Sequence, residues 1–320
     1  MRPVIVAVFA LVLAVLGVGV MPLPTCAQEA SPLATPAARP QQPTQPTTGP
    51  GSSEALFGGV TAIKQGPPDA FMADFWLFVP ADPLPGTPRV EEPFPVVLFL
   101  PGSGASNADV YLAWIEHLVQ RGAVVLFPMY QAIVPGQSEY WQTIQDDVRA
   151  GLETLEGEGV PVDLTRVAVV GHSLGAEQAL IYAAMAAAAG LPVPTAVMSV
   201  ALGGGPSPEG ACLGVDLGAI PATTRILLVE EADDPDAARE GVPRIWTELE
   251  AVPLENRDVV TLVTDAHGQP LLLAIHLQAL ADYDYDQPNA FDWYGTWKWL
   301  DALMSCAFAG EWCEYTLGNT

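Results

Sequence analysis

The chain is short of positive charge. Of 320 residues only 12 are Lys or Arg, against 37 Asp or Glu, for a net charge of −25. Binding nucleic acid takes clustered cations to neutralise phosphates, so this balance excludes a nucleic-acid partner. It also sets the chain against an anionic membrane surface. Histidine and cysteine are scarce, four of each. They form no CxxC or HxxxH pair, the spacings a structural zinc site would use. What the chain does have is apolar bulk. Half its residues are hydrophobic and its mean hydropathy is +0.28, so a sizeable core can form and global disorder is excluded.

The N-terminus reads as an address. Arg2 precedes an unbroken apolar run from Val4 to Val20, shorter than the ~20 residues that span a bilayer comfortably. Thr25-Cys26-Ala27 then precedes Gln28, and small residues there fit cleavage after Ala27. Residues 1–27 are therefore expected to be a removed signal peptide. The alternatives are an uncleaved anchor through residues 4–20 and a lipid-modified Cys26. Each places the folded part outside the cytoplasm. Residues 28–54, rich in Pro, Thr, Gln and Ala, have little apolar bulk to offset the entropy of ordering and read as an extended linker. That leaves residues 55–320 for one domain.

Within it, strands and helices alternate. Two early strands, Ala55 to Ile63 and Phe71 to Val79, are separated by a turn at Pro67-Pro68. Val96 to Leu100 and Ala123 to Phe127 are short continuous apolar runs, as buried parallel strands require. Asn107 to Gln120 carries Val110, Trp114, Ile115 and Leu118 on one helical face. Ser138 to Leu155 and Ser173 to Ala189 read as helices, and Val167 to Val170, Ala196 to Leu202, Ile226 to Val229 and Val259 to Val263 as strands. Phe291 to Phe308 reads as a closing helix, its aromatic residues Trp293, Tyr294, Trp297 and Trp299 forming an apolar face. The pattern predicts an α/β fold with a mostly parallel sheet covered on both faces, and a site beyond the carboxyl ends of the strands.

Gly171-His172-Ser173-Leu174-Gly175 matches G-x-S-x-G, placed between an apolar strand and an Ala/Leu-rich helix. A strand–turn–helix there strains and exposes the Ser173 hydroxyl, and the helix N-terminus favours negative charge nearby. With VVLFLPGSG before it and LLVEEADDP and TDAHG after it, the chain from Phe71 onward resembles the α/β-hydrolase-fold serine hydrolases. The likeness is greatest to secreted bacterial esterases and dienelactone-hydrolase-like enzymes. The resemblance implies Ser-Asp-His chemistry on carboxylic esters with no metal or organic cofactor, and a small-molecule or lipid ester as partner. It does not imply a particular ester.

Carried over residue by residue, the resemblance makes Ser173 the nucleophile. Its acid follows the Ile226–Val229 strand, where Asp234, just before Pro235, fits best and Asp233 is the alternative. His267, in Asp265-Ala266-His267-Gly268, occupies the place where the family carries its base. His276 lies in an apolar stretch that could form a helix over the site, His117 reads as a surface residue, and His172 as pointing away from the site. The oxyanion hole is expected from the backbone N–H groups of Ser103, with Gly104 as alternative, and Leu174. Pro101 stands where family members often carry His. Cys306 and Cys313, in an exported chain, are expected to form a disulfide, leaving Cys212 without a partner. Besides hydrolysis, two other functions are open. The same acyl-enzyme could pass its acyl group to an alcohol, or the fold could be a non-catalytic binding protein with a relic site.

Overall fold

The structure, a computed structural model, describes residues 39–66, 74–86, 92–105, 107–131, 137–202, 213–234, 241–280 and 287–318. The segment expected to be a signal peptide or anchor, Cys26, Cys212 and the Pro67-Pro68 turn lie outside the described residues.

The strands are β1 (Phe57–Gln65), β2 (Phe75–Pro83), β3 (Phe94–Leu100), β4 (Val124–Pro128), β5 (Val162–His172), β6 (Ala196–Val200), β7 (Arg225–Glu231) and β8 (Arg257–Leu262). They form one sheet in the order β1-β2-β4-β3-β5-β6-β7-β8. The β1–β2 and β2–β4 pairs are antiparallel, and every pair from β4 to β8 is parallel. Helices α1 (Leu112–Gln120) and α5 (Trp297–Ala309) cover one face; α2 (Gln137–Gly157), α3 (Leu174–Met185) and α4 (Gly241–Glu248) cover the other.

The central strands show why continuous apolar runs are needed. In β3 the period-2 alternation sends Leu98 and Leu100 into the core under α2 and α3, and Val97 and Phe99 into the core under α1 and α5. Every residue of β4 and β6 is buried. The one polar residue among them, Ser199 on β6, keeps a partner by donating its hydroxyl to Ala176 O at 3.3 Å, since a buried polar group without one loses its water uncompensated.

Three local expectations are corrected. The stretch from Leu271 to His276 is irregular, not helical. Helix α4 has no counterpart in the sequence reading. The regular part of α5 begins only at Trp297, because Gly295 before it is non-helical (φ −118°, ψ −106°).

The residues expected to be a linker are also reassigned in part. From residue 39 to residue 54 the chain packs on the domain. Gln41 forms a parallel bridge with Gln269, and Gln42 N–H donates to Gln269 O at 3.0 Å. Trp293 Nε1 and Tyr294 Oη donate to the carbonyls of Pro43 and Thr44. Gly51 N–H donates to the buried Asp301 carboxylate at 2.8 Å, which also meets His117 Nε2 at 2.9 Å and Arg121 Nε at 3.2 Å. Burial opposes ionisation of Asp301, but His117 and Arg121 outweigh it and hold the carboxyl below its ordinary range. Hence His117 is a buried residue, its ring stacked on Trp297. Composition missed this packing because backbone hydrogen bonds, not apolar side chains, hold the segment.

Cys306, in the last turns of α5, is joined to Cys313 beyond the helix in a disulfide across a separation of seven positions.

Candidate active site

The turn between β5 and α3 carries Ser173 at φ 56°, ψ −120°. That is a sparsely populated conformation for a residue with a Cβ, and it persists only where the surroundings enforce it. Both flanking glycines are required by contact. A Cβ on Gly171 would lie 1.9 Å from Gly175 O, and one on Gly175 would lie 1.9 Å from Leu100 O. The strand and helix approach too closely for any side chain, and the turn is sharp enough to lift the Ser173 hydroxyl above the sheet. Ser173 N–H is itself bonded to Val200 O at 2.9 Å.

Ser173 Oγ lies 2.8 Å from His276 Nε2, and His276 Nδ1 lies 2.6 Å from Asp234 Oδ2. Asp234 Oδ2 accepts from Nδ1, and Nε2 faces the serine hydroxyl. Asp234 is 2% exposed, so the pairing is shielded from solvent. Asp233, the alternative acid, is exposed. It accepts from the Thr264 hydroxyl, and its N–H donates to Ala274 O.

His267 is not part of this chain of bonds. After β8 the backbone folds back on itself, with a bridge between Asp265 and Leu272. His267 stands exposed on that turn, its N–H bonded to Asp265 Oδ1 at 2.7 Å. The returning segment brings His276, nine positions later, to Asp234. The structure therefore brings His276, and not the expected His267, to Ser173 and Asp234. The returning segment is tied down by Thr264 Oγ1, which accepts from Ala274 N–H at 3.0 Å, and by Ala274 O, which accepts from Asp233 N–H.

The loop after β3 is clamped by Tyr111, just before α1, and by Tyr130 and Gln131, just past β4. Gly102 N–H donates to Tyr111 Oη at 3.0 Å, and Gly104 N–H donates to Gln131 Oε1 at 2.7 Å. Tyr130 Oη donates to Pro101 O, and Gln131 Nε2 to Gly102 O. The Gly102 and Gly104 amides are thus engaged. The N–H groups of Ser103 and Leu174 have no protein acceptor among the described residues. Sequence reasoning missed Tyr111, Tyr130 and Gln131. The last two follow directly on a buried parallel strand, and position beyond a strand's carboxyl end was the available signal.

His172 also departs from expectation. Its ring is buried and lies 5.2 Å, centroid to centroid, from the His276 ring. Burial pushes its pKa down to about 4. Buried acids surround the site with the opposite shift. Burial pushes Glu177, one turn into α3, up to about 7. Burial first and the Asp234 charge second push Glu231 up to about 9.

The sheet order, the strained serine turn and the Ser173–His276–Asp234 bonds define an α/β-hydrolase. The chlorophyllase family model matches residues 77–206, from β2 past the serine turn, and supports an ester-hydrolysing enzyme. A search of curated proteins finds no match. Among solved structures, esterase B from Lactobacillus rhamnosis is 15% identical, over 72% of this chain and 82% of that one, with a TM-score of 0.48. A structure of that enzyme with a C4-C4 SN3 tributyrin phosphonate inhibitor is 16% identical, over 66% and 76%, with a TM-score of 0.45.

Proposed function

We propose that the chain is an extracytoplasmic serine esterase working through an acyl-enzyme on Ser173. The observation that carries this reading is the unbroken run of hydrogen bonds Ser173 Oγ–His276 Nε2 and His276 Nδ1–Asp234 Oδ2. Ser173 Oγ attacks the ester carbonyl while His276 Nε2 takes its proton, and Asp234 stabilises the imidazolium that forms. The oxyanion is received by the Ser103 and Leu174 N–H groups. His276 returns the proton to the departing alkoxide, which leaves as the alcohol. Water, deprotonated by His276, then releases the acid and restores Ser173.

Exposed apolar residues beside His276 in the chain favour a neutral ester with an apolar part. Leu271, Leu273 and Leu277, on the segment that carries His276, are 46%, 46% and 48% exposed. A net charge of −25 disfavours anionic esters. Export is supported by the N-terminal sequence and by the Cys306–Cys313 disulfide, a bond of oxidising compartments.

The test is turnover of one p-nitrophenyl ester, with fluorophosphonate labelling, by the wild type and four variants. Ser173→Ala should lose labelling and nearly all turnover. His276→Ala should lose a similar factor, because triad members act as a unit. Asp234→Asn should cost about 10⁴-fold by leaving the imidazole in the wrong tautomer. His267→Ala should stay near wild type. Loss in His267→Ala with retention in His276→Ala would overturn the assignment of the base, and an unlabelled wild type would overturn the enzyme.

A further inference from the structure

The mechanism above leaves His172 unused, although it adjoins the nucleophile and is buried against the base. Its two ring nitrogens have different partners. Nε2 lies 2.7 Å from the backbone carbonyl oxygen of His276, and Nδ1 lies 2.8 Å from Tyr111 Oη. A carbonyl can only accept, so Nε2 carries the ring proton. Nδ1 is then an acceptor, and the Tyr111 O–H donates to it. Tyr111 Oη in turn accepts from Gly102 N–H at 3.0 Å. One carbonyl thus sets the direction of every bond in a path from the base segment to the oxyanion loop. The path needs a neutral His172, because a second ring proton would put a donor on Nδ1 against the Tyr111 O–H. Burial supplies that condition by driving the His172 pKa down to about 4. The titratable groups that act on the ring are Tyr111, His276 and, through its charge, Asp234.

We propose that His172 and Tyr111 are one positioning unit, which sets the backbone of His276 and the backbone of the oxyanion loop in register with Ser173. Two further observations call for such a unit. His276 sits on an irregular segment, so no helix or strand ladder holds its own carbonyl; His172 does. The oxyanion loop meets the same ring closely, since a Cβ on Gly102 would lie 2.9 Å from His172 Nδ1 and 3.1 Å from Ser173 Cβ. The base and the Ser103 donor come from opposite sides of β5. Their separation must hold to a fraction of an ångström for one carbonyl carbon to meet both. Ser173 itself is bonded directly to neither backbone that the unit joins.

This inference rests on the reading of Ser173, His276 and Asp234 as a triad. The test uses the full chain carrying His172→Phe, Tyr111→Phe, both, or His172→Gln, with active sites counted by fluorophosphonate titration. Phe keeps an aromatic ring in each place and removes the bonds. In each single variant kcat per titrated site should fall about 10- to 100-fold, the cost of a misplacement near 1 Å, with KM nearly unchanged. The double variant should fall no further than the worse single one, since the path is already broken. His172→Gln, which can still donate to the His276 carbonyl, should recover part of the loss. Wild-type kcat per site in both single variants overturns the proposal, whatever happens to Tm, and so do losses that multiply in the double variant. A wild type that is not labelled at Ser173 overturns the triad reading and this inference with it. A labelled wild type beside unaffected variants overturns this inference alone.

Discussion

Replacing Glu231 with glutamine should stabilise the protein, and by more as pH rises. Glu231 closes β7, is 3% exposed, and neither carboxyl oxygen has a hydrogen-bond partner among the described residues. Burial and the neighbouring Asp234 charge push its pKa from an ordinary 4.5 to about 9. Between those values the folded protein holds a proton that the unfolded chain has released. Stability must therefore fall as pH rises through that window, by about 1.4 kcal/mol per pH unit. From pH 5 to pH 8 the penalty grows by about 4 kcal/mol, as an upper figure. Glutamine has nearly the shape of the protonated acid, needs similar desolvation, and does not titrate. It should remove the penalty while leaving Asp234 free of a second negative charge. For a domain of this size 1 kcal/mol moves Tm by roughly 2–4 °C, so the variant should gain on the order of 10 °C over wild type between pH 5 and pH 8. Calorimetry of both proteins at the two pH values measures this directly. Asp147 and Glu177, each raised by burial to about 7, add to the pH slope of both proteins and cancel in the difference. Melting curves that stay parallel with pH would refute the reasoning, because they would mean that Glu231 is ionised in the fold.

Two more outcomes are expected. A chain that starts at Ala55 should melt lower and turn over more slowly than one that starts at Arg39. It loses the Gln42 contacts to the turn that precedes His276, and the buried Gly51–Asp301 bond, which alone is worth about 1.5–3 kcal/mol. Equal Tm and equal kcat would show the segment to be passive. Reduction of Cys306–Cys313 should cost about 2 kcal/mol, the loop-closure value for so short a ring, and lower Tm without changing kcat. Unchanged melting under reductant would contradict it.

The fold was legible in the chain because its evidence is local. Continuous apolar runs such as Val96 to Leu100 report strands buried on both faces. Gly171 and Gly175 report a turn too tight for a Cβ. Asp234 could be preferred over Asp233 from its place before Pro235, and the structure shows the burial that separates them. The pairing of Cys306 with Cys313 was also within reach, since the two lie close in the chain.

The base was not legible in this way. His267 and His276 follow the same strand, and the motif around His267 is the more familiar. What separates them is a reversal of the backbone between Asp265 and Leu272, held by backbone pairing and by the Thr264 and Gln42 side chains. The Gln42 side chain is 223 positions away from the Asp265 carboxylate it holds, so no window of sequence records that contact. The same holds for residues 39–54, whose composition argues against a core but whose amides and carbonyls find partners on the domain. The sequence by itself determined the layers, the strained serine turn and the pool of ionisable residues, because periodicity and steric demand are properties of neighbours. Only the tertiary structure decided which histidine meets Asp234, which acids are buried enough to stay protonated, and that His172 faces the base. Burial and hydrogen-bond partnership are set by where the whole chain comes to rest.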